Sequence, residues 1–253
     1  MAVRTSIPDK KLSKALDRVN RAQSRFYQRY PGDSGARQPV HTVYGGAHLF
    51  NAETPKKLGE LALRALDTYA ADASTFAEAI GISGNLAPKV LERVRDKLGR
   101  EPVEDFRIDF EDGYGNRPDD EEDGHAVQAA QQVAAGLIAE TLPPFIGIRI
   151  KPLTRDLAAR SLRTLDVFLT ELLGATNGRL PNNFVVTLPK IQSRTDIETI
   201  VDVFDVLEDR LGLDAGALRL EIMVETTQSI FDPQGRSIFG RIDQRVVRYL
   251  PSA

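Results

Sequence analysis

The sequence predicts an α/β protein of the (β/α) TIM-barrel type, in which helices cover a parallel sheet. Strand-like and helix-like patterns alternate five times along the chain, as they do in a series of βαβ units. Several strands, such as residues 145–150, are nearly continuous apolar runs, which is typical of parallel sheets buried by helices. Charged residues and glycines follow each strand, at the edge of the sheet where barrel enzymes keep their active sites.

A helical segment precedes the first strand. Apolar residues recur at helical spacing among Lys and Arg residues over residues 8–30, and a Pro-Gly segment ends the pattern. We therefore predict an N-terminal helical extension, residues 1–39, and a partial TIM-barrel domain of a catalytic type, residues 40–253.

The remaining elements follow from the same two periodicities, 2 for strands and 3.6 for helices. The predicted strands are residues 40–44, 106–110, 145–150, 183–188 and 218–224, and the predicted helices are residues 52–69, 73–80, 87–98, 119–140, 155–173, 195–211 and, with a looser fit, 237–250.

Composition excludes several classes of function. The chain has 253 residues, no Cys and a net charge of -3, so thiol chemistry is excluded and we expect neither a nucleic-acid nor a membrane partner. No apolar run is long enough to span a bilayer, and we expect a cytoplasmic protein. No dinucleotide fingerprint, phosphate-binding loop or nucleophile elbow is present.

Polar residues at the strand ends are the candidate site. In a barrel these ends lie on one face. The candidates, in chain order, are Gly45, Gly46, His48, Asp109, Glu111, Asp112, Arg149, Lys151, Lys190 and Glu225. Glycines let backbone amides approach a ligand. Two alternatives to a functional site stay open. Charge runs are often simply solvated, and His48 could serve only to cap the next helix.

The residue types suggest a chemistry. Carboxylates from two strands can hold a hard divalent cation through oxygen, so we expect Mg²⁺ or Mn²⁺. Arg149 can bind a substrate carboxylate with two hydrogen bonds and stabilise a nearby enolate. An arginine beside a metal is suited to making or breaking a bond next to a 2-oxo acid.

Four segments in order resemble a known family. FRIDFEDGYG, GIRIKPL, VVTLPKIQS and EIMVETTQSIFD are similar to motifs of the HpcH/HpaI aldolase and citrate lyase β-subunit family, barrels of the phosphoenolpyruvate/pyruvate superfamily. HTVYGGAHLF resembles a divergent aldolase-like branch, some of whose members are called phosphoenolpyruvate kinase. The resemblance implies Mg²⁺, a 2-oxo acid or acyl-CoA substrate, and carbon–carbon bond cleavage or condensation through a metal-bound enolate.

The resemblance also implies roles for particular residues. Glu225 matches a metal ligand, and Glu111 and Asp112 match an acidic pair that organises the metal site. Arg149 matches the arginine that binds the substrate carboxylate, and Lys190 matches the lysine of the motif P-K. With His48, Arg149 and Lys190 are the catalytic candidates, and Gly45, Gly46 and Arg149 are the substrate-binding candidates.

The chain departs from that family in ways that affect function. Gln192 and Lys151 stand where Glu and Asn are usual, and we find no strand after the fifth to supply a second metal-binding Asp. We therefore expect an incomplete barrel that forms a homo-oligomer or pairs with a separate remainder. The alternatives to a lyase are a phosphoenolpyruvate-linked phosphotransferase and a non-catalytic, truncated fragment.

Overall fold

A computed structural model of the chain describes residues 5–30, 32 and 35–237. They fall into two compact units, one extending to Gln38 and one starting at Pro39. The first unit contains the predicted N-terminal helix, α1 (Asp9–Arg29), which is confirmed. None of the described helices is long and apolar enough to cross a membrane.

The second unit contains the predicted alternation of strands and helices. Its strands are β1 (Thr42–Gly46), β2 (Asp105–Asp109), β3 (Phe145–Arg149), β4 (Phe184–Leu188) and β5 (Leu220–Ile222). Its helices are α2 (Thr54–Tyr69), α3 (Ala73–Ile80), α4 (Ala87–Arg100), α5 (Asp119–Ile138), α6 (Ala158–Thr176), α7 (Arg194–Leu211) and α8 (Thr227–Ile230).

Local signals set both ends of α7. Ser193 and Asp196 form a capping box at the start of α7, in which each side chain bonds the other residue's backbone N–H. At the other end, Gly212 adopts a φ of 69° and closes the helix.

The predicted helix over residues 237–250 lies outside the described residues, apart from Ser237.

The five strands form one parallel sheet in the sequential order β1-β2-β3-β4-β5. This confirms the predicted α/β class and the parallel sheet. In a sheet of this order each crossover follows the same hand, so the connecting helices lie on one face. The carboxyl ends of all five strands therefore meet at the same edge.

One face of the sheet is apolar and packs against the helices. Alternate strand residues such as Ile108, Ile148 and Val186 are completely buried and share one hydrophobic core with residues of α5, α6 and α7. Burying such side chains contributes roughly 1.5–3 kcal/mol each. This core fixes the strand register and therefore the direction of every residue on the other face.

The opposite face carries charged residues, and it is strongly concave. Arg107 of β2 donates from Nη2 to Oε2 of Glu221 on β5 at 2.7 Å, and from Nε to Oγ1 of Thr187 on β4 at 3.1 Å. In a flat sheet β2 and β5 would be about 14 Å apart, three strand spacings. Direct contact between these side chains therefore requires the sheet to curl toward them.

Candidate functional site

Asp109 anchors the loop that follows β2 at the carboxyl edge of the sheet. Its side chain is completely buried. Oδ1 accepts a hydrogen bond from the backbone N–H of Glu111 at 2.9 Å, and Oδ2 accepts one from Gly113 at 2.7 Å. These bonds turn the chain directly after the strand, which places Glu111 and Asp112 at the edge.

Arg149 lies beside Asp109 in the sheet register and is held on several sides. Nε donates to Oδ1 of Asp109 at 2.8 Å and Nη2 donates to Oδ2 at 2.5 Å, which is a bidentate pair. The guanidinium carbon lies 4.6 Å from the ring centroid of Tyr44, within the range of a cation–π contact. The remaining nitrogen, Nη1, lies 3.4 Å from Oε2 of Glu111.

The charge of Arg149 is secured by these neighbours. Burial alone would lower the pKa of the guanidinium, but the hydrogen bonds and charge of Asp109, with the charge of Glu111, outweigh burial and raise it. The side chain is thus a fixed cation in a defined orientation, with one nitrogen not bonded to Asp109.

Lys190 joins the acidic residues of two other loops, those that follow β2 and β5. Its ammonium contacts Oε1 of Glu111 and lies 2.8 Å from Oδ1 of Asp112. Its backbone N–H donates to Oε1 of Glu225 at 2.8 Å. Lys190 has a φ of 50°, a left-handed conformation that costs a non-glycine residue roughly 1–3 kcal/mol and often marks a functional site.

The pKa values of this group follow from its ion pairs. Burial opposes the charge of Lys190, but the contacts with Asp112 and Glu111 outweigh it and raise the pKa of the ammonium. The Lys190 contact in turn lowers the pKa of Asp112. Lys190 and Asp112 are therefore both charged near neutral pH.

Glu111 carries an incompletely satisfied charge. Its side chain is 7% exposed, and Oε2 accepts no hydrogen bond among the described residues, although Arg149 lies nearby. A buried carboxylate oxygen without a donor is costly. Such an atom is available to bind a cation or a donor on a ligand.

The glycines and the histidine predicted for the site have close structural contacts. A Cβ at Gly45 would lie 2.7 Å from the ring of Phe106, and one at Gly46 would lie 2.4 Å from the carbonyl oxygen of Gly113. His48 packs edge-on against Tyr114, with ring centroids 5.6 Å apart. His48 also lies beside His125, with ring centroids 6.0 Å apart, and no hydrogen bond, ion pair or ring contact among the described residues joins it to Arg149 or Lys190. Its pKa is lowered, first by burial.

Comparison with known proteins assigns the chain to a family. The model of the family described as "Domain of unknown function (DUF6986)" matches residues 19–249. The chain belongs to the DUF6986 family. No curated protein matches the chain. The matched residues include all five strands and every candidate site residue of this DUF6986 protein.

Lys151, a strand-end candidate, lies outside this group of contacts in the DUF6986 chain. Its ammonium donates to the carbonyl oxygen of Phe110 at 2.6 Å and to Oε2 of Glu122 at 2.8 Å. Glu122 belongs to the acidic start of α5 and is completely buried. The pair links β3 to α5, so we assign Lys151 a structural role.

Sequence reasoning missed the part played by Tyr44. This residue lies two positions before Gly46, on the concave face, and its ring supports Arg149. The signal was available in the alternation of β1, because residues 44 and 46 point to the same face. The contact with Arg149 itself depends on the curvature of the sheet.

The carboxylates of this DUF6986 chain fit a hard divalent cation by their chemistry. Within residues 5–30, 32 and 35–237, no three His, Asp or Glu side chains form a ready metal-binding group. Glu111 and Asp112 nevertheless converge on the ammonium of Lys190, and Oε2 of Glu111 is unbonded. Oxygen donors of this kind suit Mg²⁺ or Mn²⁺, and a bound cation would compete with Lys190.

Glu221 gives the concave face a pH-dependent contribution to stability. Burial opposes its ionisation, but Arg107 outweighs burial and lowers the pKa of Glu221. The stabilisation is therefore present above the unfolded pKa, about 4.3, and is lost as pH falls through the lower folded value. We expect Glu221→Gln to lower the urea midpoint near pH 7 and to differ less from the parent protein below about pH 4.

The matched control for this prediction is Glu60→Gln. Glu60 is exposed on α2 and makes no ion pair with another described residue. We expect this control to leave the urea midpoint nearly unchanged throughout the range. A destabilisation by Glu221→Gln that is the same at every pH would contradict the assigned ion pair with Arg107.

Proposed function

We propose that this DUF6986 chain is a cytoplasmic, Mg²⁺- or Mn²⁺-dependent carbon–carbon lyase of the aldolase kind, acting on a 2-oxo acid or an acyl-CoA-type substrate. The observation that carries the proposal is the gathering of Glu111, Arg149, Lys190 and Glu225 at one edge of the sheet. These residues lie at or after the carboxyl ends of four different strands. The sequence resemblance to the HpcH/HpaI aldolase and citrate lyase β-subunit family independently suggests the same residues.

The proposal includes a barrel-type architecture. Sequential order, parallel pairing and the strong curl of the sheet all agree with a (β/α) barrel. A doubly wound nucleotide-binding sheet reverses its strand order at the binding crevice, and no reversal occurs among the five described strands. A barrel architecture would also explain why charged side chains face the concave interior.

Arg149 is the proposed binding group for the substrate carboxylate. Asp109 and Tyr44 hold its guanidinium in place, so little conformational entropy is lost when a ligand binds. Nη1 makes no hydrogen bond to Asp109 and can donate to an anionic ligand. Such a fixed donor can also stabilise negative charge that develops on an enolate oxygen.

Glu111, Asp112 and Glu225 are the proposed holders of the cation. When bound, a divalent cation would polarise the carbonyl next to the bond that breaks. Lys190 would have to move its ammonium from Glu111 and Asp112 as the carboxylates take up the cation. Its raised pKa keeps it charged, so it remains a hydrogen-bond donor to the substrate.

Calorimetry with Mn²⁺ tests this assignment. We expect the purified chain to bind Mn²⁺ more tightly in the presence of pyruvate or oxaloacetate, because the oxo acid would share the cation. We expect Glu225→Ala to weaken Mn²⁺ binding about tenfold or more, a loss of about 1.4 kcal/mol or more. Lyase activity, measured as pyruvate release from 4-hydroxy-2-oxo acids, should fall in parallel.

Glu60→Ala is the control for this experiment. Glu60 lines a surface cavity with residues that precede β2 and β3, at the opposite edge of the sheet. We therefore expect the Glu60→Ala variant to bind Mn²⁺ as tightly as the parent protein does. Equal binding by the Glu225→Ala variant would refute the metal role of Glu225. Turnover that depends on a nucleotide would identify a phosphotransferase instead, and a folded chain that binds neither Mn²⁺ nor oxo acid would be non-catalytic.

A further inference from the structure

Helix α1 has an apolar stripe that is open to solvent. None of its residues is buried. Leu16 and Val19 are each 51% exposed and Phe26 is 57% exposed, although their spacing places them on one side of the helix. The same stripe contains Leu12, Ala15, Ala22 and, at its end, Tyr30. The helix is therefore amphipathic, as helices that pack against a core are, but none of its residues is buried.

A basic stripe runs beside the apolar one. It contains Lys10, Lys11, Lys14, Arg18, Arg21, Arg25 and Arg29, whereas Asp9 and Asp17 are the only acids of the helix. Within the described part of the chain, no hydrogen bond or ion pair joins any of these seven basic side chains to a carboxylate. Their charge is therefore available to an external partner.

The distribution of charge explains why the composition gave no sign of this surface. The whole chain has a net charge of -3, but α1 has seven basic residues against two acidic ones. The remainder of the chain is accordingly acidic, and the whole-chain sum conceals the local excess. The expectation of no membrane partner depended on that sum.

We propose that α1 lies along the surface of an anionic lipid bilayer, with its apolar stripe in the interface and its basic stripe on the headgroups. A basic, amphipathic helix with Leu and Phe on its apolar face is the pattern of helices that bind membrane interfaces. The positive charge is complementary to anionic headgroups. Most helical stability in proteins comes from packing of an amphipathic face, so covering the apolar stripe would also stabilise the helix.

Two other partners suit these features less well. A nucleic acid would engage the basic stripe through phosphates but would leave the apolar stripe exposed. A second copy of α1 could cover the apolar stripe, but the basic stripes beside it would then face like charges across the interface, which is unfavourable. A bilayer surface uses both stripes at once.

Vesicle co-sedimentation of the full chain tests the proposal. The probes are phosphatidylcholine vesicles with and without phosphatidylglycerol. We expect at least about tenfold tighter binding to the anionic vesicles at low salt, because each basic residue near such a surface adds attraction. Added salt should reduce the difference. Equal binding to both vesicles, or binding to neither, would overturn the proposal.

Variants separate the two stripes. Phe26→Ser should weaken binding by removing an inserted side chain, and Arg18→Gln combined with Arg25→Gln should remove most of the preference for anionic lipid. The charge-matched control is Lys89→Gln with Arg93→Gln, two exposed basic residues of α4, and we expect it to bind like the parent protein.

The same variants would show whether a second copy of the chain or a nucleic acid binds α1 instead. Self-association that is lost in Phe26→Ser, without vesicle binding, would show that a second copy covers the stripe. Retention on duplex DNA that is lost in the Arg18 and Arg25 variant, without vesicle binding, would show a nucleic-acid partner. Either result would overturn the bilayer proposal. Both are independent of the proposed lyase activity.

Discussion

Replacing Lys151 with Met is expected to destabilise the protein by about 3 kcal/mol, the lower end of the range for a broken buried ion pair, because the buried carboxylate of Glu122 keeps only a longer ion pair with Arg160, at 3.6 Å. The side chains of Lys151 and Glu122 are 4% and 0% exposed. Lys151 also donates to the carbonyl oxygen of Phe110, which would lose that bond. The measurement is the free energy of unfolding from urea denaturation.

A double-mutant cycle separates the ion pair from the other contacts. Adding Glu122→Leu to Lys151→Met removes the carboxylate that has lost its nearest cation, so the double variant should cost less than the sum of the two single variants. Recovery should be partial, because Glu122 also accepts a hydrogen bond from Thr164 and pairs with Arg160. The control is Arg194→Met in the exposed pair with Glu198, for which we expect a loss of about 0.5 kcal/mol or less.

Two outcomes of this cycle would contradict the assigned ion pair. If Lys151→Met costs less than about 1 kcal/mol, or if the two single variants are additive, then Lys151 and Glu122 do not form a strongly coupled buried pair. The structural role given to Lys151 would then be wrong.

Replacing Gly147 with Ala is expected to cost about 3 kcal/mol or more, at the upper end of the range for overpacked sites. A Cβ at this position in β3 would lie 2.1 Å from the backbone oxygen of Val185 in β4. A backbone atom cannot rotate away as a side chain can, so the two strands would have to separate. The same urea measurement reports the loss.

The control for Gly147 is Gly174→Ala. Gly174 lies within α6, and a Cβ there would meet no atom within 4 Å. Alanine is favoured over glycine in a helix by about 0.8–1.0 kcal/mol, so the control should stabilise the protein. Opposite signs for the two variants are expected, and destabilisation by Gly174→Ala or tolerance of Gly147→Ala would contradict the described packing.

Local patterns in the sequence were sufficient to predict the elements. The apolar run of β3 and the helical spacing in α1 are both properties of a few neighbouring residues, and both elements were confirmed. The edge of the sheet that carries the polar residues also followed from the sequence, because parallel strands end on the same side. The resemblance added residue roles, which stay predictions.

Partner choice within the site was decided only by the tertiary structure. Arg149 pairs with Asp109 because the register places them side by side, and Arg107 reaches Glu221 because the sheet curls. Lys151 has the same kind of strand-end position in the sequence as Arg149, yet it pairs with Glu122 of α5. Sequence fixes the type and spacing of charges along the chain, whereas contact between them depends on register, curvature and burial, which arise when the strands pack together.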